Sequence, residues 1–301
     1  MRRNINFKAE DGVTLRGWLY QPDNGSGPFP TIIMAHGYSA TKEMHLDDFA
    51  EVFSKGGFAV LVYDNRNLGE SDGEPRGEIV PYEQIQDYRH AITFASTLAE
   101  VDSKRMGIWG SSYSGAHVLV VAAIDRRVKC VVSQVPLVSG SENARRLIRA
   151  DWFAGLRESF HADRAARYRG EAPQMIAVVS DDPAVPCALP TADSTEFFLG
   201  MKDRASTWKN QVTLRSVELF LEYEPIVYIP LVSPTPLMMV VAADDHLTVQ
   251  DIALKGYELA LEPKKLLLLL GGHFEAYSGE IFKHNSAEQL AWFTKHLKPS
   301  A

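Results

Sequence analysis

The sequence predicts an α/β protein in which a mostly parallel central sheet is flanked by helices. Short strands that are apolar along their whole length alternate with helical segments in the first half of the chain. The same alternation resumes near the C-terminus. The 301 residues are 46% hydrophobic and 23% charged, which is ordinary for a globular protein. Strands that are apolar on both sides indicate a sheet covered on both faces.

The first half is predicted to contain five strands and three helices. Each strand is a short run of β-branched, aliphatic or aromatic residues, and the first helix ends at a Gly-Gly pair. The predicted strands are Thr14–Tyr20, Pro30–Ala35, Phe58–Tyr63, Arg105–Trp109 and Lys129–Ser133. The predicted helices are Met44–Lys55, Tyr82–Leu98 and Tyr113–Ile124.

The alternation breaks in a stretch rich in arginine, aromatic residues and proline, which predicts a mainly helical insertion. Four further elements follow it: strand Pro236–Val241, helix Val249–Leu261, strand Lys265–Leu270 and helix His284–Leu297. We therefore predict one core in two parts, residues 1–138 and 232–301, with a helical cap of residues 139–231 inserted between them.

Charge and composition exclude several classes of protein. With 31 Lys+Arg against 38 Asp+Glu the net charge is −7, which disfavours a general nucleic-acid binder. No apolar run is long enough to cross a bilayer, and the N-terminus has no apolar signal-peptide core. Cys130 and Cys187 cannot form a disulfide framework or a zinc site. We expect a cytoplasmic protein that has no cofactor and no bound metal, does not act on membranes, and is compatible with a homodimer.

The sharpest chemical signal is the segment Gly110–Gly115, which follows a predicted strand and opens a predicted helix. Ser112 lies two residues after Gly110, and Ser114 replaces the usual glycine two residues later, with Gly115 behind it. This is the context of a nucleophile elbow, where the serine hydroxyl lies at a helix N-terminus. Glycine and serine are also common in ordinary strand–helix turns, so the nucleophile needs partners.

A serine nucleophile needs a base, and the base needs an acid that orients it. Asp245 follows one late predicted strand and His273 follows the next, which is the chain order expected after Ser112. We therefore predict Ser112, Asp245 and His273 as a catalytic triad. Asp244 is the alternative acid, and His246 is expected to be a surface neighbour.

Two backbone N–H groups are expected to form the oxyanion hole. One belongs to Tyr113, directly after the nucleophile, and the other to Tyr38, after the strand that ends in His36-Gly37. His36 is expected to be a hydrogen-bonded loop residue. His117 is expected to pack within the core rather than bind a ligand.

With these residues in place, the chain resembles the α/β-hydrolase family over nearly its whole length, which implies that the insertion is a cap after the sixth core strand of that fold. Gly110–Gly115 is similar to the elbow of the X-Pro dipeptidyl-peptidase and cocaine-esterase group, in which a tyrosine hydroxyl from the loop after the third strand assists the oxyanion. Tyr38 occupies a comparable place. Asp64–Gly73 is similar to a loop of dienelactone-hydrolase-like members, although Asn65 and Asn67 depart from it. The printed chain ends soon after His273, without the extra C-terminal β-domain of X-Pro peptidases, which disfavours peptidase activity.

The overall likeness is to small capped relatives of bacteria and fungi, some of which are thioesterases or acyl transferases that release polyketide acyl chains. The segments Trp208–Ser216 and Gly271–Tyr277 carry this likeness. The expected activity is that of a serine hydrolase that cleaves a small-molecule ester or thioester. The alternatives are an acyl transferase, a peptidase, a C–C hydrolase and a non-catalytic binding protein.

Two features of the cap have a functional and a structural interpretation. Its aromatic residues form either an acyl pocket or the cap's own core; they are Trp152, Phe153, Phe160, Tyr168, Phe197, Phe198, Trp208, Phe220, Tyr223 and Tyr228. The segment Arg145–Arg169 holds seven arginines against three acidic residues. It is either a dock for an anionic substrate arm or a solvated helix face.

Overall fold

The computed structural model describes residues 1–182 and 184–298 of the chain. The strands are β1 (Arg2–Lys8), β2 (Thr14–Tyr20), β3 (Phe29–Ala35), β4 (Ala59–Tyr63), β5 (Val101–Ser111), β6 (Val128–Gln134), β7 (Met175–Ile176), β8 (Val212–Thr213), β9 (Leu237–Ala242) and β10 (Lys264–Leu269). Eight of them form one sheet in the order β1-β2-β4-β3-β5-β6-β9-β10. Pairs β1–β2 and β2–β4 are antiparallel and the other pairs are parallel. The predicted fold class is confirmed.

Helices cover both faces of this sheet. They are α1 (Leu46–Lys55), α2 (Pro81–Ser96), α3 (Tyr113–Ile124), α4 (Gly140–Leu147), α5 (Phe153–Tyr168), α6 (Ala192–Gly200), α7 (Leu214–Glu222), α8 (Gln250–Leu259) and α9 (Gly279–Leu297). Phe49 of α1 and Phe293 of α9 belong to the apolar core on one face. Tyr88 of α2 and Ile252 of α8 belong to the core on the other face. In the part of the chain that the structure describes, no helix is long and apolar enough to span a bilayer.

The sequence prediction misses β1 and misplaces the start of two helices. Ile5 and Phe7 are buried while their neighbours in β1 are exposed, so the strand covers only one face and lies at the sheet edge. Helix α1 begins at Leu46 because His45 has φ 67°, which is outside the helical region. Helix α9 begins at Gly279, earlier than the predicted His284.

The segment between β6 and β9 is mainly helical and adds no strand to the eight-stranded sheet. It contains α4 to α7, the two-stranded antiparallel β7–β8 pair and 3₁₀ turns at Ala150–Trp152 and Pro225–Leu231. Its division from the core at residues 139 and 231 stays a prediction.

One contact joins the two ends of this helical segment to each other, and another holds its middle against α1. Gly140 donates its N–H to the Tyr223 carbonyl at 2.8 Å, and a Cβ at Gly140 would lie 1.9 Å from the Phe220 carbonyl oxygen. Arg204, after α6, pairs with Asp47 at 2.7 Å and with Asp48 at 3.0 Å, both in the first turn of α1.

His117 in α3 is a buried packing residue with two hydrogen-bond partners. Its Nδ1 lies 3.0 Å from the Tyr223 hydroxyl and its Nε2 lies 2.9 Å from Gln84 Oε1. The neutral ring satisfies both partners when Nε2 donates and Nδ1 accepts. Burial lowers the pKa of His117 to about 3.

The close approach at Gly140 predicts that Gly140→Ala destabilises the protein. Because the added Cβ meets backbone, the cost should be about 1–3 kcal/mol in the free energy of unfolding, measured by urea denaturation. Gly155→Ala in α5 is the control. Nothing lies within 4 Å of a Cβ at Gly155, so alanine there should be neutral or stabilising. Equal midpoints for wild type and Gly140→Ala would contradict the prediction.

His117 predicts a loss of stability in acid. The unfolded chain binds a proton at this histidine below about pH 6.5, whereas the folded chain does not until about pH 3. The free energy of unfolding therefore falls as the pH falls through this window. His117→Gln removes the titration, so its loss between pH 7.5 and pH 5 should be smaller than that of wild type by about 2 kcal/mol. Identical pH profiles from urea denaturation would overturn the assignment.

Candidate active site

Ser112 occupies the tight turn between β5 and α3 in a backbone conformation that side chains rarely adopt, φ 58° and ψ −117°. Its N–H donates to the Gln134 carbonyl at 2.8 Å. The turn leaves no room for side chains beside it. A Cβ at Gly110 would lie 2.2 Å from the Ser114 carbonyl oxygen, and one at Gly115 would lie 2.8 Å from that of Gln134. These contacts explain why the motif needs both glycines.

Asp245, directly after β9, binds His273, directly after β10. The His273 Nδ1 lies 2.8 Å from Asp245 Oδ2, and the two side chains are each only 1% exposed. The other carboxylate oxygen accepts the backbone N–H groups of Leu247 at 2.9 Å and Thr248 at 2.8 Å. The carboxylate is thereby held by hydrogen bonds that fix its orientation, and it fixes the imidazole tautomer with the proton on Nδ1.

Asp245 is buried, whereas its neighbours Asp244 and His246 are exposed. The backbone N–H of Asp244 donates to the Gly271 carbonyl at 2.9 Å. Of the two candidate acids, Asp245 is therefore the one in contact with His273.

Ser112 and His273 line the same pocket, which has a volume of about 30 Å³. Within residues 1–182 and 184–298, no hydrogen bond joins the Ser112 hydroxyl to the imidazole. Catalytic hydrogen bonds are often long before the substrate binds. The space holds about two water molecules at most.

The loop after β3 passes directly against the nucleophile. A Cβ at Gly37 would lie 2.9 Å from the Ser112 Cβ, so only glycine allows this approach. The backbone N–H groups of Tyr38 and Tyr113 have no hydrogen-bond partner in the described part of the chain. They are available to a developing oxyanion beside Ser112, at the N-terminus of α3.

The Tyr38 side chain faces the helical segment. Its ring packs edge-on against Tyr113 and Phe220, with centroid separations of 5.3 and 5.7 Å. Burial raises the pKa of this tyrosine, and the Ser216 hydroxyl at the start of α7 is its polar neighbour. The N–H of Tyr38 stays the predicted oxyanion donor.

A buried charged cluster anchors the loop that carries Tyr38. Lys42 Nζ lies 2.7 Å from Asp64, 2.8 Å from Glu70 and 2.9 Å from Glu43. Burial acts to lower the pKa of Lys42, but these carboxylates outweigh it and raise the pKa, so the ammonium stays charged. The carboxylates face one another closely enough to bind a cation, and the cation they contact is this lysine.

His36 joins the same loop to the loop after β4. Its Nε2 accepts the Asn65 N–H at 3.1 Å, and its carbonyl accepts the Asn65 side-chain amide at 3.2 Å. Burial lowers the pKa of His36, which keeps the ring neutral. The residue has the hydrogen-bonded loop position expected of it.

The sequence analysis assigned no role to three residues that contact the site. The Thr248 hydroxyl lies within hydrogen-bond distance of two acceptors, Asp245 Oδ2 at 3.0 Å and the Val135 carbonyl at 2.9 Å. Its spacing from Asp245, typical of a turn into a helix, could have found it. Tyr277 lies 2.5 Å from Ser111 beneath the elbow. Phe274, next to His273, stacks on Phe197 of α6 at 4.4 Å. No local pattern marks these long-range contacts.

A second, larger cavity of about 750 Å³ lies beneath the helical segment. It is lined mainly by apolar side chains of α4, α5, α7 and residues 174–190, including Trp152 and Phe220. Tyr38 lines both this cavity and the Ser112 pocket. Leu189 lines the pocket while its neighbours Ala188 and Pro190 line the cavity, so Tyr38 and Leu189 form the wall between them.

The cap aromatic residues divide between lining and packing. Phe197 and Phe198 line the Ser112 pocket, and Trp208 stacks on Phe198. Tyr223 binds His117, whereas Tyr168 is 93% exposed and takes no part in the site.

Comparison with known proteins identifies the family. The model of the X-Pro dipeptidyl-peptidase (S15) family matches residues 11–275. A polyketide transferase, ATR5, of Stachybotrys chlorohalonatus is 32% identical, with 99% of this chain and 98% of that protein covered. A thiohydrolase of Eupenicillium brefeldianum is 31% identical, with 98% and 94% covered.

The structural neighbours agree with the sequence relatives. The crystal structure of the α/β-hydrolase GrgF from Penicillium matches with a TM-score of 0.86 at 29% identity, over 99% of each chain. A structure of DcsB in complex with a substrate analogue matches with a TM-score of 0.88 at 29% identity, over 99% and 100%. The chain therefore belongs to the X-Pro dipeptidyl-peptidase (S15) family and is a hydrolase with the α/β-hydrolase fold.

Proposed function

We propose that the protein cleaves the thioester or ester of an apolar acyl chain through an acyl-enzyme at Ser112. The observation that carries the proposal is the contact of Asp245 with His273, which lines the same pocket as Ser112. It supplies the orienting acid and the base in the order that activates a serine.

The proposed reaction has two halves that the same residues serve. Ser112 Oγ attacks the acyl carbonyl while its proton passes to His273 Nε2, and the N–H groups of Tyr38 and Tyr113 bind the oxyanion. When the intermediate collapses, the carbon–sulfur or carbon–oxygen bond breaks and His273 protonates the leaving thiolate or alkoxide. Water then gives a proton to His273 and attacks the acyl-enzyme. The bond from the acyl carbon to Ser112 Oγ breaks, His273 returns the proton to Oγ, and the acid is released.

The cavity of 750 Å³ is the proposed site of the acyl chain. Its volume and apolar lining fit a ligand of moderate size, whereas the pocket at Ser112 holds only the reacting group. The chain must pass the wall formed by Tyr38 and Leu189 to connect the two spaces. The proposal therefore requires the side chains of Tyr38 and Leu189 to move apart when the substrate binds.

Acyl transfer is the second candidate. Relatives that share about a third of their residues with this chain are named polyketide transferase as well as thiohydrolase. The chemistry differs only in the second half, where an alcohol or another nucleophile replaces water. The division into core and cap, a cytoplasmic location and a homodimer complete the proposal as expectations from the sequence.

Ser112→Ala is expected to lower kcat on an acyl thioester by a factor on the order of 10⁶, because the nucleophile is lost. Intact mass after treatment with a fluorophosphonate should show one adduct on wild type and none on this variant. Ser206→Ala, at an exposed loop serine, is the control and should behave as wild type. An adduct that persists on Ser112→Ala would refute the assignment.

The two neighbouring aspartates provide a matched pair of variants. Asp245→Asn leaves the shape of the site intact but removes the charge that orients His273, so kcat should fall by roughly 10⁴. Asp244→Asn alters an exposed side chain and should leave kcat within about twofold of wild type. Steady-state hydrolysis of a p-nitrophenyl ester measures both. Similar losses in the two variants would contradict the proposed acid.

A further inference from the structure

A third cavity, of about 300 Å³, lies between α4, α5 and α7. Arg145 of α4 lines it, together with Arg157 and His161 of α5. Arg157 and His161 are four residues apart on one helix and therefore lie on the same face. Phe153 and Phe160 supply an apolar wall.

The two arginines differ from the rest of the segment Arg145–Arg169. Five of its seven arginines form ion pairs, namely Arg146–Asp251, Arg149–Asp151, Arg164–Glu218, Arg167–Asp163 and Arg169–Glu171. These five fit a solvated helix face. Arg145 and Arg157 have no carboxylate within ion-pair distance in the described part of the chain, and both line this cavity.

The acidic residues of the cavity do not cancel this charge. Glu218 is held by Arg164 at 2.6 Å, and Glu222 is exposed. Arg164, outside the lining, thus offsets Glu218, and the two lining arginines outnumber the one remaining lining carboxylate, Glu222, in a protein whose net charge is −7. A guanidinium without a carboxylate partner presents paired donors that match the oxygens of a phosphate.

The cavity adjoins the proposed acyl site. Ala144 and Leu221 line both the positive cavity and the cavity of 750 Å³. A thioester arm that leaves Ser112 along the α4 and α7 side would therefore reach Arg145. The acyl chain would occupy the part lined by residues 174–190.

We infer that Arg145, Arg157 and His161 bind the phosphate group on the leaving arm of a thioester substrate. The inference rests on the proposed thioester chemistry at Ser112. The same phosphate occurs on coenzyme A and on the 4′-phosphopantetheine of a carrier protein, so both are sources of the ligand.

The test measures binding without turnover. In a Ser112→Ala background, isothermal titration compares butyryl-CoA, butyryl-4′-phosphopantetheine and butyryl-pantetheine, which lacks phosphate. The double change Arg145→Gln with Arg157→Gln should weaken binding of butyryl-CoA by about 10- to 100-fold and leave butyryl-pantetheine unchanged. Arg146→Gln, which removes the adjacent paired arginine, is the control and should weaken neither.

Binding of butyryl-4′-phosphopantetheine distinguishes the two sources of the phosphate, coenzyme A and a carrier protein. An equal loss for butyryl-4′-phosphopantetheine and butyryl-CoA assigns the site to the phosphate shared with carrier proteins. A loss for butyryl-CoA alone assigns it to the nucleotide phosphates. Unchanged binding of all three probes, or equal weakening of butyryl-pantetheine, overturns the inference.

Measurements of turnover distinguish failure of the proposed thioester cleavage from failure of the phosphate site. Wild-type protein that binds butyryl-CoA through these arginines but releases no thiol would retain the phosphate site and refute thioester cleavage. Hydrolysis of p-nitrophenyl butyrate by the double arginine variant at the wild-type rate would show that its fold and Ser112 are intact.

Discussion

The arrangement of the site depends on the close packing around one strained residue. Ser112 holds φ 58° only because Gly37, Gly110 and Gly115 leave space where any side chain would collide. Such strain persists where the surrounding structure over-determines it. Here the sheet constrains the turn, because β3 and β5 are neighbouring parallel strands and both the turn and the loop after β3 begin at their ends. The proximity of the Tyr38 N–H to the nucleophile is thus a consequence of the same packing.

Buried hydrogen bonds among β5, β6 and α9 stabilise this packing. Trp109 of β5 donates to Gln289 of α9 at 2.6 Å, and Gln289 donates to Gln134 of β6 at 2.8 Å. Gln134 also donates to Ser111 at 3.0 Å. Such bonds are directional and costly to leave unsatisfied in the interior, so they fix α9 against the strands that carry the elbow. Lys42 and Asp64 do the same for the neighbouring loop.

The sequence predicts those site residues that lie just after a strand recognisable from its local pattern. Ser112, Asp245 and His273 each follow a recognisable strand, and parallel strands bring their carboxyl ends to one edge, so the three could be predicted together. The roles of Tyr277 and Phe274 could not, because they come from contacts with the distant residues Ser111 and Phe197. β1 was missed because its charged, exposed residues mask the alternation of Ile5 and Phe7. The cavities escape prediction since they are spaces between helices, which no local pattern specifies.

The contacts of α6 link access to Ser112 with the position of the helical segment. Phe197 stacks on Phe274, which adjoins His273, and Arg204 pairs with two carboxylates of α1. Ion pairs that are partly exposed contribute little to stability. The aromatic contacts therefore contribute more to the position of α6. Phe197 and Phe274 both line the pocket of 30 Å³ next to His273, so a movement of α6 would change the space beside the imidazole. The position of α6 therefore sets how much space remains beside Ser112 and His273 for a reacting group.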